Sequence, residues 1–515
     1  MAFERKDVSK LGSDWNDTLI WYAKAVGKLK ERPLASRTSW RFLAGMHGFD
    51  EDLWTAQGYL SSTDALPSKG DQDRFWKQCQ HRTWYFLPWH RGYVAAFEAI
   101  VRSAVVDLGG PANWALPYWN YYDPASRSVP NAFLQKTMPD GSINHLYVEA
   151  RFGRGDGSFI IKPEDITLNA LKDHAFVGIN SGGNPGFGGP ISLFNHGAGS
   201  NGHLESDPHN TVHGRVGGSK VEAGNTTPGL MSKPATAALD PIFWLHHANI
   251  DRLWEVWRNR DPQNLEPDQD SWLKGPADRK FIVPDPVGEG ISFNASQMLD
   301  TTAAPLNYKY QDISDPLAGS TRKKIRLTGL RLLSDAPMVS FLDKHSAGGQ
   351  MATELLGANA STIKLAGDIS QTRVTLDKSS VDKVNDSFEG VKLFSSKPKE
   401  PDRVFLNLEN IRGKNDAAIF YVYVNVPSGE KPENHPENKV GVLSLFGVSD
   451  ASDTDSAHGG AGITQVFEIT SIIDNLQLDN SQLSDTLQVQ FVPQSTVIPE
   501  HGITVERVSV FRESL

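Results

Sequence analysis

The chain has 515 residues, enough for two domains with ample cores, and its 39% hydrophobic and 22% charged content excludes a disordered or fibrous protein. A net charge of −10 argues against a nucleic-acid partner, which calls for a basic face. No stretch approaches the roughly 20 apolar residues that a membrane-spanning helix needs.

The amino terminus, MAFERKDVSKLG, has no apolar run like that of a secretion signal, and the single cysteine, Cys79, has no partner for an intrachain disulfide. Both favour a reducing, cytoplasmic setting; export together with a carrier protein is compatible with either. From Asp14 to Arg32, Trp15, Leu19, Tyr22, Val26 and Leu29 recur at helical spacing and predict a packed first helix. His47 follows in AGMHG. In CQHRTWYFLPWHRGYVAAFE, His81 and His90 are nine positions apart. At about 100° per residue they would leave opposite sides of one straight helix. Pro88 suits a first helical position, so the helix is predicted to start there, with His90 in its first turn and His81 in the segment before. The helix runs on through Tyr93–Val106 and is broken by Gly109, Gly110 and Pro111.

Residues 153–202 are dense in glycine and show no lasting period, which reads as a long loop region that shapes an entrance or wraps the surface. In PHNTVHGRV, His209 and His213 stand one helical turn apart on one face. Such pairs also occur on exposed helices. A third strong helix is predicted from Asp240-Pro241 through FWLHHANIDRLWEVWRNR, where Asp caps and Pro opens the first turn. His246 and His247 are adjacent and diverge by about 100°, so only one can face an ion directly. Asp251, one turn on, could hold the outer nitrogen of His247 or form a surface ion pair with Arg82 or Arg91. After about Asp312 the runs RVFLNL, IFYVYVNV, GVLSLFG, QVFEIT, LQVQFVP and ITVERVSVF alternate between turn clusters, as in an antiparallel sandwich or barrel.

Two histidine triplets, His47, His81 and His90, then His209, His213 and His247, supply three imidazoles per ion, a donor set that suits copper and leaves an open position for dioxygen. No carboxylate falls within either triplet, which argues against a zinc or iron hydrolase. The other histidines without spaced partners, among them His145, His174, His196, His203, His345, His435, His458 and His501, are expected at the surface.

These motifs resemble the type 3 copper proteins, which include tyrosinases, catechol oxidases and molluscan hemocyanin units. AGMHG and CQHRTWYFLPWHRGYVAAFE are similar to the first copper block, LESDPHNTVHGRVGG and DPIFWLHHANIDRLW to the second, and LNYKYQD to the Tyr-x-Tyr motif that closes the catalytic domain. The resemblance implies a multi-domain α+β protein. A mainly α-helical, four-helix-bundle domain with two copper ions (residues 1–312) would be followed by an all-β, jelly-roll-like sandwich (residues 313–515) lying across the active site. It assigns the second histidine of the pair, His247, as ligand and leaves His246 outside.

It also implies a thioether between Cys79 and His81, aromatic packing over the site by Phe86 and Phe243, and a water held by Glu205 and Asn210 that takes the proton of a phenol, whose pKa is ordinarily near ~10. Pro234 stands where relatives often carry a bulky gate. The implied activity is that of a tyrosinase-like polyphenol oxidase, using dioxygen to hydroxylate small monophenols in the ortho position and to oxidise o-diphenols to o-quinones, latent until the second domain is removed or displaced. A catechol oxidase restricted to diphenols, or a hemocyanin-like oxygen carrier, shares these residues. The sequence leaves the oligomeric state open.

Overall fold

The first strong apolar period becomes a helix over Asp17–Lys30, because Asn16 caps it by accepting from the Leu19 N–H and because Leu19, Tyr22, Val26 and Leu29 all turn inward. The structure is a computed structural model that describes residues 2–179, 182–222, 224–318, 326, 353–393, 400–479 and 482–514. His345 therefore lies outside the described residues. The Asp17–Lys30 helix packs on the long helix Phe86–Asp107, which packs in turn on Ile242–Arg260. Pro88 is the third residue of the Phe86–Asp107 helix instead of its first, still within the turn whose N–H groups have no helical partner. His81 stays outside that helix, as the spacing requires. The Ile242–Arg260 helix starts where Asp240 accepts from the Ile242 N–H.

Burial also collects charge. Arg5 is fully buried, and its guanidinium donates to Glu98 at 2.6 Å and Asp251 at 3.2 Å while lying 3.5 Å over the Tyr308 ring. Arg91 donates to the same Asp251, which also accepts from the hydroxyls of Tyr308 and Tyr310. The strand Phe3–Arg5 pairs in parallel with Tyr308–Tyr310 and brings these groups together from both ends of the helical half. The ion pair expected of Asp251 at the surface is thus an interior one with Arg91. The Arg82 side chain turns elsewhere, and the outer nitrogen of His247 is left without it.

Downstream of Thr353 the alternating runs form one large sheet. Its strands lie in the order Lys439–Ser444, Ile419–Val424, Thr486–Pro493, Ser370–Leu376, Thr353–Ala358, Thr504–Glu513, Arg403–Arg412, Ile463–Glu468, with Ile363–Lys364 also paired to Thr504–Glu513. Leu406, Leu408, Phe420, Val422, Leu487, Val489, Val508 and Val510 fill a core separate from that of the helical half. This half also carries the helices Lys378–Leu393 and Thr470–Leu478. The next strand of the same sheet comes from the helical half: Gly199–Ser200 pairs in parallel with Ile463 and Thr464.

Alternation along IFYVYV explains how the halves meet. Phe420, Val422 and Val424 enter the sheet's own core, while Tyr421 points the other way and donates to Asp165 at 2.8 Å. A strand covered on both faces reads as a continuous apolar run. Among the described residues no helix is long and apolar enough to cross a membrane.

Candidate metal centre

Four helices, and the segments that lead into two of them, deliver the histidines. His47 ends the helix Trp40–His47, His81 lies in the segment before the Phe86–Asp107 helix, and His90 is in the first turns of that helix. His209 lies in the kinked segment Glu205–Asn210, interrupted at Asp207, and His213 in the helix Thr211–Gly217 that continues it. His246 and His247 sit in the Ile242–Arg260 helix. All are buried, and their ligand-type atoms form two groups, His47, Cys79, His81 and His90, then His209, His213, His246 and His247, each within 4.8 Å internally. The parallel rings of His90 and His247, with centroids 4.5 Å apart, join the two groups.

Backbone carbonyls fix the ring orientations. The Nδ1–H groups of His47, His90 and His213 donate to the carbonyls of Pro234, Phe86 and Met231, each at 2.8 Å. His209 Nδ1 donates to Asn210 Oδ1 at 2.8 Å. With Nδ1 protonated, Nε2 keeps its lone pair and turns it into the cluster. The Nε2 atoms of His47 and His209 are buried without a partner, and those of His213 and His247 face each other at 3.3 Å. Burial pushes the His47 and His209 imidazoles down to about 3 and the other four well below their ordinary value, so all six are neutral donors at physiological pH. Buried, unpaired nitrogen lone pairs in two adjoining groups fit two borderline-soft metal ions and little else.

The other residues to which the resemblance points lie around these two groups. Cys79 Sγ is 3.6 and 3.5 Å from the two ring nitrogens of His81 and 3.3 Å from His90 Nε2, with its thiol pKa raised by burial. Phe86 lies edge-on to His209 at 4.8 Å, and Phe243 lies 4.1 Å from His247 and 4.9 Å from His47. Glu205 is buried, and both its oxygens accept from the Arg82 backbone N–H, at 2.8 and 2.9 Å. Burial pushes its carboxyl up to about 7. His246 belongs to the second nitrogen group by position, although its Nδ1 is 3.3 Å from the Tyr121 hydroxyl. His196 and His501 are not bland surface residues: His196 Nδ1 donates to the Cys79 carbonyl at 2.7 Å, and buried His501 reaches Thr226 across the interface at 2.8 Å.

Two residues escape a reading of the sequence. Phe446, where the chain leaves the strand Lys439–Ser444, is 1% exposed and belongs to the core of the helical half. Its ring stacks on His213 at 4.1 Å and 21°, and stands edge-on to His81 at 5.6 Å and His209 at 5.7 Å. Arg82, held at a φ of 61°, donates from Nη1 to the Gly197 carbonyl at 2.5 Å and from Nη2 to the Phe446 carbonyl at 2.8 Å. A glycine makes room for the approach: a Cβ on Gly214, next to His213, would meet Ile419 Cδ1 at 2.8 Å. The one signal for Phe446 was the apolar run GVLSLFG outlasting its strand.

The family model described as the common central domain of tyrosinase matches residues 37–154 and 184–260, and one described as a domain of unknown function matches residues 352–513. Tyrosinase HcTyr1 of Hahella sp. (strain CCB-MM4) is 31% identical over 516 residues, covering 97% of each chain. The chloroplastic polyphenol oxidase of Malus domestica is 26% identical over 413 residues, which are 73% of this chain and 63% of that protein. The solved structure of latent apple tyrosinase superposes with a TM-score of 0.58 at 20% identity, over 99% of this chain and 97% of that one, and shares its fold.

Proposed function

The chain belongs to the tyrosinase family and is a copper-dependent polyphenol oxidase with a dinuclear site; on that premise we propose that His47, His81 and His90 hold one copper and His209, His213 and His247 the other. The observation that carries this assignment is the pair of buried nitrogen groups joined through the parallel rings of His90 and His247. His247 is preferred to His246 because it faces the other group, while His246 turns a nitrogen to Tyr121. When bound, the copper pair supplies the dioxygen chemistry that converts a monophenol to an o-diphenol and an o-diphenol to an o-quinone.

The chain's own groups bind, orient and deprotonate. Phe86 and Phe243 wall the site and keep water out. Asn210 fixes the His209 tautomer, and Glu205, steadied by the Arg82 N–H, takes the phenolic proton through a water that it shares with Asn210. Phe446 occupies the face of His213 on which a substrate ring would lie, so the intact chain is latent and the sheet half is its shield. Cys79 and His81 are placed for a thioether; in copper-loaded, air-exposed protein the peptide carrying both would be two hydrogens lighter than its sequence mass and resistant to thiol alkylation after unfolding. Substrates are small phenols.

Metal analysis together with oxygen uptake tests the reading. Two coppers per chain, one lost on substitution in either triplet, with uptake driven by a simple phenol, is the expected result. Zinc or iron in place of copper, or reversible oxygen binding without turnover, would overturn it.

A further inference from the structure

Phe446 is bound in the way a substrate would be, and two of its parts are recognised separately. Its ring is taken by His213 and its carbonyl oxygen by Arg82 Nη2. Ring and carbonyl are separated by two carbons, Cβ and Cα. Arg82 is 4% exposed, and its Nε is buried with no partner, so its guanidinium already has more donors than acceptors while the shield is in place. Withdrawal of Phe446 strips Nη2 of its acceptor as well.

The charge balance moves in the same direction. Three carboxylates support the Arg82 cation: Glu205 of the helical half, and Asp450 and Asp416 of the sheet half. Asp416 and Asp450 also support Lys233, whose remaining partner, Asp50, is 3.6 Å away. When the shield moves off, both sheet-half carboxylates leave with it. Arg82 and Lys233 are then left with fewer acids to balance them. A buried cation with free donors is satisfied best by an anion.

We propose that, in the opened enzyme, Arg82 is a specificity-determining residue that takes the carboxylate of phenols bearing it two carbons from the ring, with the ring lying on His213 as Phe446 does. This rests on the polyphenol oxidase reading and on Phe446 as the plug. The preferred substrates are hydroxyphenylpropionate-like acids, and phenols ending in an amine at the same distance are disfavoured. The same guanidinium thus serves two occupants in turn, a backbone carbonyl in the closed state and a carboxylate in the open one.

The test compares 3-(4-hydroxyphenyl)propionate, its primary amide, tyramine and 4-ethylphenol as substrates of the copper-loaded full chain. Only the open form turns over, so the closed fraction scales every kcat/KM alike and cancels from their ratios. The acid should exceed tyramine by roughly ten- to a hundred-fold, the range a charge-assisted hydrogen bond supplies, with the amide between them. Arg82→Gln loosens Phe446 as well and so scales all four phenols alike, but it should collapse the acid-to-tyramine ratio through KM, and Arg82→Lys should keep part of the preference. Calorimetric binding of 3-phenylpropionate against phenethylamine gives the same comparison without turnover. A wild-type ratio near one, or an Arg82→Gln loss equal for all four phenols, would overturn the proposal. If Arg82→Gln does not fold, the wild-type ratio and Arg82→Lys still decide. Absence of oxygen uptake with every phenol, in the wild type and in Phe446→Ala alike, would instead sink the polyphenol oxidase reading, and the calorimetric comparison would still judge the carboxylate site.

Discussion

Burial sets what Glu205 can do. Its carboxyl is buried, both its oxygens accept from the one Arg82 backbone N–H, and it stands four residues before His209. If it takes the phenolic proton, Glu205→Gln should lower monophenol kcat by about a hundredfold, the range of a lost general base, and spare diphenol turnover, whose first proton is easier to remove. Equal loss on both substrates would assign Glu205 to structure alone. At this scale the histidines that cluster are legible in the sequence and the groups that orient them are not. Histidines stand out because few residue types bind copper, and it was the family resemblance that pointed to Phe86, Phe243 and Asn210, which lie against them. The carbonyls of Pro234, Phe86 and Met231 carry no residue identity, so nothing in the sequence could mark them. Arg82 and Phe446 stay hidden for another reason: each acquires its meaning from a contact 364 positions away.

At the scale of elements, helix spacing and strand alternation were legible because each follows from one period. The runs RVFLNL, IFYVYVNV, QVFEIT and LQVQFVP each supply most of a strand. Strands Thr353–Ala358 and Ser370–Leu376 escaped notice because their faces are mostly polar or half-exposed. What the periods do not reveal is how elements are locked. Asp251, on the helix that bears His247, holds Arg5, Arg91, Tyr308 and Tyr310 together and so ties both ends of the helical half to the metal-bearing helix. Removing one partner of a buried charge cluster leaves the others uncompensated. Asp251→Ala should therefore cost about 3–5 kcal/mol in thermal or denaturant unfolding, and a loss under about 1 kcal/mol would show the cluster to be dispensable.

At the scale of the whole molecule, the halves have separate cores, yet the sheet continues from one into the other. Gly199–Ser200 pairs with Ile463 and Thr464, Tyr421 donates to Asp165, Lys439 to the Glu164 carbonyl, and Ser444 to the Asn210 carbonyl. Breaking the chain leaves all of these contacts intact. A single cut between Ala318 and Thr353 should therefore leave two pieces that co-elute on size exclusion and stay closed until mild denaturant parts them; immediate separation on cutting would contradict the interface described. The most direct test of a polyphenol oxidase closed by its own Phe446 is oxygen uptake by the copper-loaded intact chain, wild type against Phe446→Ala, with 4-ethylphenol and 4-methylcatechol. Emptying the face of His213 should raise kcat/KM for both substrates by roughly tenfold or more, as the competent fraction grows. Equal rates in the two proteins would remove Phe446 as the plug, and uptake with the catechol alone would remove the hydroxylation.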